Sequence, residues 1–177
     1  MNIPLIRVLP ERVSEGQIIR IAIDISSALA VYADHGIVHG DVSPWNIFWS
    51  DDGTCKLAPP AISIKETDRI GALHFAAPEI YRGHASCSSD VYSLGLVLYW
   101  MLNERRAPFC PLPPALPSPS EVNNAMIRRF AGKPLPPPEH GNDKLKQIIL
   151  KACAFEISAR YREARELRTE LRRISLA

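Results

Sequence analysis

Residues 37–49 read Ile37-Val38-His39-Gly40-Asp41-Val42-Ser43-Pro44-Trp45-Asn46-Ile47-Phe48-Trp49. Two runs rich in β-branched and aromatic residues flank a polar loop that holds His39, Asp41 and Asn46. An Asp and an Asn five residues apart, on a loop pinned between two strands, can point at one spot. There a carboxylate can accept a hydroxyl proton and an amide oxygen can ligate a hard cation. The blander reading of the same residues is a set of turn side chains bonding their own backbone.

Working outward, Ser14 and Gln17 have the spacing of a capping box. Ile18, Ala22, Ile25, Leu29 and Tyr32 follow at helical spacing, and Gly36 stands where a left-handed cap belongs. The spacing predicts a helix over 15–35 that delivers the chain into His39. After the loop, 47–49 and 54–57 read as two short strands, with Asp51-Asp52-Gly53 as the hairpin turn. Ser88, Ser89 and Asp90 open a helix running through Asn103, with 90–103 as its main length. That helix is apolar on nearly every side, the pattern of a helix buried at the centre of a fold. Pro108 to Pro119 holds six prolines and reads as an extended, surface-packed loop within the domain. Ser120 can cap a helix ending before Gly132. A second proline cluster (Pro134, Pro136, Pro137, Pro138) precedes a helix over 143–155. A last helix over 161–175 carries Ala164, Leu167, Leu171 and Ile174 on one face.

Composition narrows the classes. The chain has 177 residues, 46% hydrophobic and 23% charged, with net charge +2. This is a globular balance that points to one domain over 1–177, with 1–13 as an N-terminal segment. The charge is too small to imply nucleic acid. Arg160, Arg162, Arg165, Arg168, Arg172 and Arg173 alternate with Glu163, Glu166 and Glu170, the pattern of a solvated helix face. Cys55, Cys87, Cys110 and Cys153 form no CxxC and read as reduced cytoplasmic thiols. The N-terminal stretch lacks a signal-peptide pattern. The apolar run Val91–Leu102 is shorter than the roughly 20 residues a bilayer needs, so no membrane is expected.

Taken together, the motifs resemble the protein kinase family, most closely bacterial Ser/Thr kinase-like proteins. His39-Gly40-Asp41, then four residues and Asn46, is similar to the family's catalytic loop, with Gly40 in place of Arg. Ala76-Ala77-Pro78-Glu79 resembles its Ala-Pro-Glu stretch. Asp90-Val91-Tyr92-Ser93-Leu94-Gly95 matches the opening of its central helix, and Arg160-Tyr161 follows in order. The resemblance implies a mainly α fold with one small β-hairpin: the kinase C-terminal lobe, lacking the N-terminal lobe. It implies Asp41 as proton acceptor and Asn46 as Mg²⁺ ligand, with Asn46 and Phe48 at the nucleotide. His39, Glu79, Asp90 and Arg160 become structural, Glu79 with Arg160 as an ion pair.

The departures from that pattern shape the functional expectation. The family uses Mg²⁺-ATP, and its Asp-Phe-Gly triplet supplies a metal-binding Asp; Pro59-Pro60-Ala61 stands there instead. Proline offers no ligand and fixes its own φ. Ser43 replaces a common Lys, and Ala72 a Thr that bonds the catalytic Asp. With Gly40 in place of Arg, Thr67 is a poor switch candidate. No Gly-rich loop or strand Lys occurs in the chain. The expectation is a pseudokinase-like binding or regulatory module, or a remnant, with no cofactor. The alternatives are a protein Ser/Thr kinase whose N-lobe was cut off by a gene-model error, and a small-molecule phosphotransferase. An apolar face of Ile47, Phe48 and Ala58-Pro59-Pro60-Ala61, with Ile3, Leu5 and Ile6 near it, is expected to face water and take a protein partner or a second copy.

Overall fold

The computed structural model describes residues 3–9, 12–60 and 74–175. Ala61, Thr67 and Ala72, all named above, lie outside the described residues. The elements in order are β1 (Ile3–Pro4), α1 (Leu5–Val8), α2 (Glu15–Asp34), β2 (Ile47–Trp49), β3 (Cys55–Leu57), α3 (Cys87–Leu102), α4 (Pro119–Phe130), α5 (Asp143–Ala152) and α6 (Ala164–Ser175). Short 3₁₀ turns at Ile80–Arg82 and Ile157–Ala159 complete the list. This is the mainly α architecture with a small sheet that the sequence predicts.

α2 begins where its capping box places it. The Ser14 side chain accepts from Gln17 N, and the Gln17 side chain accepts from Ser14 N. It ends at a turn in which Gly36 takes φ +68°, the left-handed conformation that costs a glycine nothing. By length and composition alone α2 could cross a membrane. Its apolar face, from Ile18 to Ala30, is instead buried in the core, where the helix packs on α6, α3 and β3. α3 is buried from Ser88 through Leu102, so every side of it meets protein.

Four boundaries differ from the sequence reading. α3 starts at Cys87 because Ser86 and Ser89 form the capping box one turn before Asp90. α4 is capped by Ser118, not Ser120. Ser118 accepts from Glu121 N while the Glu121 carboxylate takes Ser118 N, and Pro119 at the first helical position has no N–H to satisfy. α5 stops at Ala152, where Cys153 leaves helical geometry. α6 begins at Ala164, because the 3₁₀ turn and Arg160 occupy the preceding residues.

The sheet has three strands rather than a lone hairpin. β2 and β3 pair antiparallel, with Ile47 opposite Leu57 and Trp49 opposite Cys55. β1 adds to the other side of β2, with Ile3 opposite Trp49 and Pro4 opposite Phe48. This corrects part of the expected apolar face: Leu5 and Ile47 are fully buried, and the N-terminal segment covers β2. Ile3 stays 39% exposed, Pro59 is exposed, and Phe48 is half-buried.

α3 crosses α5 at Gly95. A Cβ there would stand 2.7 Å from Cys153 Sγ and 2.9 Å from Ala152 Cβ, closer than side chains tolerate. Gly95→Ala gains about 1 kcal/mol of helix propensity but overpacks a site that typically costs about 1–3 kcal/mol. The overpacking wins, because Ala152 Cβ sits on backbone that cannot step aside. Gly95→Ala therefore lowers stability in urea unfolding; an unchanged or raised midpoint would mean that α3 and α5 separate freely.

Candidate functional site

The loop after α2 is held from its own core. Asp90, in the first turn of α3, accepts from His39 N and from Gly40 N, both at 2.8 Å. Burial pushes the Asp90 carboxyl pKa up, opposed by those two backbone N–H groups. Gly40 takes φ +74° between them. The His39 ring is buried and edge-on to Tyr32 at 5.7 Å. Asp41 N donates to His39 Nδ1 at 3.3 Å, and His39 Nε2 lies 2.7 Å from Ala58 O. One tautomer, with the proton on Nε2, satisfies both. His39 thereby joins the loop to the chain leaving β3.

Asn46 is 2% exposed. Its Nδ2 donates to Asp41 O at 2.9 Å, its N to Ser43 O, and its O accepts from Ala58 N. The side chain thus spans the loop and fixes the Asp41 backbone. Its Oδ1 is buried and has no hydrogen-bond partner among the described residues, and neither has Ser43 Oγ. A buried amide oxygen without a donor carries a desolvation cost of about 1–3 kcal/mol. The structure therefore brings Asp41 and Asn46 together, with one amide oxygen left over. Phe48 lies one residue past the buried Ile47 on β2 and is half-buried.

That oxygen is what the loop offers a hard cation. Mg²⁺ is held through carboxylates and phosphates in near-octahedral oxygen geometry. Pro59 and Pro60 follow Ala58 at the exit of β3, where the resemblance puts the metal-binding Asp. Among the described residues no three His, Cys, Asp or Glu side chains gather to hold a metal. Among the described residues the donor set, one neutral amide oxygen, does not fit a resident Mg²⁺.

Glu79 and Arg160 meet as a two-pronged buried pair. Arg160 Nη1 lies 2.6 Å from Glu79 Oε1 and Nη2 lies 3.0 Å from Oε2. Ser89 Oγ donates to the same carboxylate at 2.7 Å, and Arg160 also donates to Ala154 O and Phe155 O. The Arg160 guanidinium stacks over Tyr92 at 4.5 Å. Burial acts to raise the Glu79 pKa, but the hydrogen bonds from Arg160 and Ser89 outweigh it and hold the carboxyl below its usual value.

Two positioning residues escaped the sequence reading. Arg129, 4% exposed in the last turn of α4, donates to Ala76 O at 2.7 Å and His74 O at 2.9 Å, and so pins the stretch before Ala77-Pro78-Glu79. The signal was an Arg on the same helical face as Ala125. Asp24 on α2 accepts from Cys55 N at 2.9 Å and satisfies the edge of β3. An acid inside an otherwise apolar helix was its signal.

Comparison with known proteins adds the relationship. A family model described as "Protein tyrosine and serine/threonine kinase" matches residues 5–171. The chain is 34% identical to the serine/threonine-protein kinase PknB of Mycolicibacterium smegmatis over 171 residues, 88% of this chain and 26% of that protein. It is 33% identical to PknB of Mycobacterium leprae over 89% of this chain and 26% of that protein. It is 27% identical to a probable serine/threonine-protein kinase PknB of Lactococcus lactis over 86% of this chain and 25% of that protein. The chain spans about a quarter of the length of these relatives.

Removing one partner of a buried ion pair typically costs about 3–5 kcal/mol, because the other charge stays buried. Glu79→Ala and Arg160→Ala are each expected to destabilise on that scale, and the double variant to lose much less than the sum. Because the Glu79 pKa falls on folding, this contribution is full above the usual carboxylate pKa and fades as pH falls through the folded value. The gap between wild type and Glu79→Ala in denaturant unfolding should narrow on acidification. Additive losses, or a gap that widens in acid, would remove the pair from the fold's supports.

Proposed function

Because the chain belongs to the protein tyrosine and serine/threonine kinase family, we propose that it is a kinase-type C-lobe that has given up phosphoryl transfer and works as a binding or regulatory module. The observation that carries this reading is Pro59-Pro60 at the exit of β3. Phosphoryl transfer is mostly positioning and neutralisation of phosphate charge. With prolines at the place of the metal-binding Asp, the loop keeps one neutral ligand, Asn46 Oδ1. Asp41 and Asn46 then serve as hydrogen-bonders that hold the loop's shape. The same reading expects no bound nucleotide and a cytoplasmic protein; the four free cysteines favour a reducing compartment.

The competing reading is a protein Ser/Thr kinase that uses Mg²⁺-ATP, of which this chain is one lobe. The retained Asp41 and Asn46, in a loop with intact backbone bonding, favour it. Phosphate incorporation from radiolabelled Mg²⁺-ATP separates the two. We expect none, on the chain itself or on generic protein substrates. Incorporation that disappears in Asp41→Asn would establish the enzyme reading.

The proposal includes a protein partner or a second copy on the face around β1 and β2. The exposed Ile3 and Pro59 and the half-buried Phe48 support it. Light scattering across concentration should show association that weakens in Phe48→Asp while helical content stays. A wild type that remains monomeric throughout, with no change in the variant, would discard this face.

A further inference from the structure

A cavity of about 470 Å³ opens between the end of α3, the extended loop before α4 and the second proline cluster. Its apolar walls are Phe109, Leu112 and the Pro136-Pro137 faces. Asn103 holds two of these walls together. Its Oδ1 accepts from Glu139 N at 3.0 Å, and its Nδ2 donates to Arg106 O at 3.1 Å.

Tyr99 also lines the cavity, and it is 1% exposed. Its hydroxyl has no hydrogen-bond partner among the described residues, yet it is not sealed off: what little surface Tyr99 keeps opens on this cavity. Burial pushes the Tyr99 pKa up, with the nearby Cys153 and Cys110 thiols adding to the rise, so the group stays a neutral hydroxyl. A buried phenol hydroxyl usually finds a partner, and one without needs an explanation.

The charge at the cavity is one-sided. Glu121 and Glu139 line it, and among the described residues no Lys, Arg or His does. Hydrogen bonds from Ser118 N and Oγ hold the Glu121 carboxyl below its usual value, so it is ionised at neutral pH. Glu139 spends only its backbone, since its O accepts from Lys146 Nζ at 3.2 Å while its carboxylate makes no ion pair among the described residues. Arg128 stacks over the Phe109 ring at 4.1 Å but stands outside the lining.

We propose that this cavity binds a small organic amine, its protonated nitrogen on the Glu139 carboxylate and the Tyr99 hydroxyl and its apolar body against Phe109, Leu112 and the two prolines. An ammonium group carries donors only, which suits a carboxylate and a hydroxyl oxygen that both lack a donor. Bonds between an ammonium and a carboxylate are the strong, charge-assisted kind. The volume lies in the range of about 300–1,000 Å³ that takes a whole small molecule. A metal ion is a poorer occupant, because among the described residues no three ligating side chains gather. The inference stands whether or not the chain transfers phosphate, since no residue of the polar loop lines this cavity.

The test titrates the full, ¹⁵N-labelled chain with phenethylamine, with its neutral twin 2-phenylethanol and with phenylacetate, read by amide NMR. The amide signals of Phe109, Cys110 and Leu112 should move saturably with the amine, which should bind about tenfold tighter than the alcohol. Glu139→Gln should erase that difference, and Tyr99→Phe, which loses no internal bond, should weaken the amine about threefold. Equal binding of amine and alcohol, tighter binding of phenylacetate, no saturable shift at these residues, or unchanged amine affinity in either variant would overturn the proposal. Should Glu139→Gln unfold, Pro137→Lys tests the same point. A cation on the wall must weaken the amine selectively, and unchanged binding there also overturns it.

Discussion

The structure depends on what the first turn of α3 does with its buried polar groups. α3 carries one charged side chain, Asp90, and both its oxygens are spent on the backbone N–H groups of His39 and Gly40. A carboxylate is at home near a helix N-terminus, where backbone N–H groups and the helix dipole favour negative charge. One turn of helix therefore sets where the polar loop begins. The same turn places Ser89 on Glu79 and Ser88 Oγ on Tyr161 O, so the stretch before α3 and the stretch before α6 are gathered at one end of the buried helix. Loss of this turn would release three segments far apart in sequence.

This explains how the scaffold and the chemistry can part company. The groups that shape the loop (Asp90, His39 with Ala58 O, and Asn46 with Asp41 O) are bonded to backbone and to one another. None of them needs Pro59 or Pro60 to be anything in particular. A fold of this family can keep its loop while the ligand set beside it changes, because fold and function rest on different residues.

What was legible in the sequence follows the strength of each local signal. The helices α2 and α3 announce themselves through capping residues and long apolar periodicity, and the β2–β3 hairpin through Asp-Gly between β-branched runs. β1 was invisible: two residues, one of them proline, carry no alternation, and only the pairing with Trp49 and Phe48 makes a strand of them. Ser118 beat Ser120 as a cap because Glu121 completes a reciprocal pair with it, a distinction that spacing alone leaves open. At the site, His39, Asp41 and Asn46 stood out by motif. Arg129 and Asp24 did not, because each acts on a backbone group more than 30 positions away. The free Oδ1 of Asn46 is a fact of three dimensions that no residue name discloses.

The N-terminal segment has a mechanical side. Ile3 and Pro4 lie against β2, Ile6 N donates to Pro44 O, and Ile6 O accepts from Arg105 at the end of α3. Arg12 then ties to Glu104 at 2.8 Å. Both anchors, Glu104 and Arg105, hold positive φ (50° and 60°), a conformation that side-chain-bearing residues leave readily once contacts are lost. Ile6 therefore bridges the proline preceding Trp45 on one side and the positive-φ corner after α3 on the other. The first residues of the chain thus fasten three places at once: the edge of β2, the polar loop at Pro44 and the corner after α3.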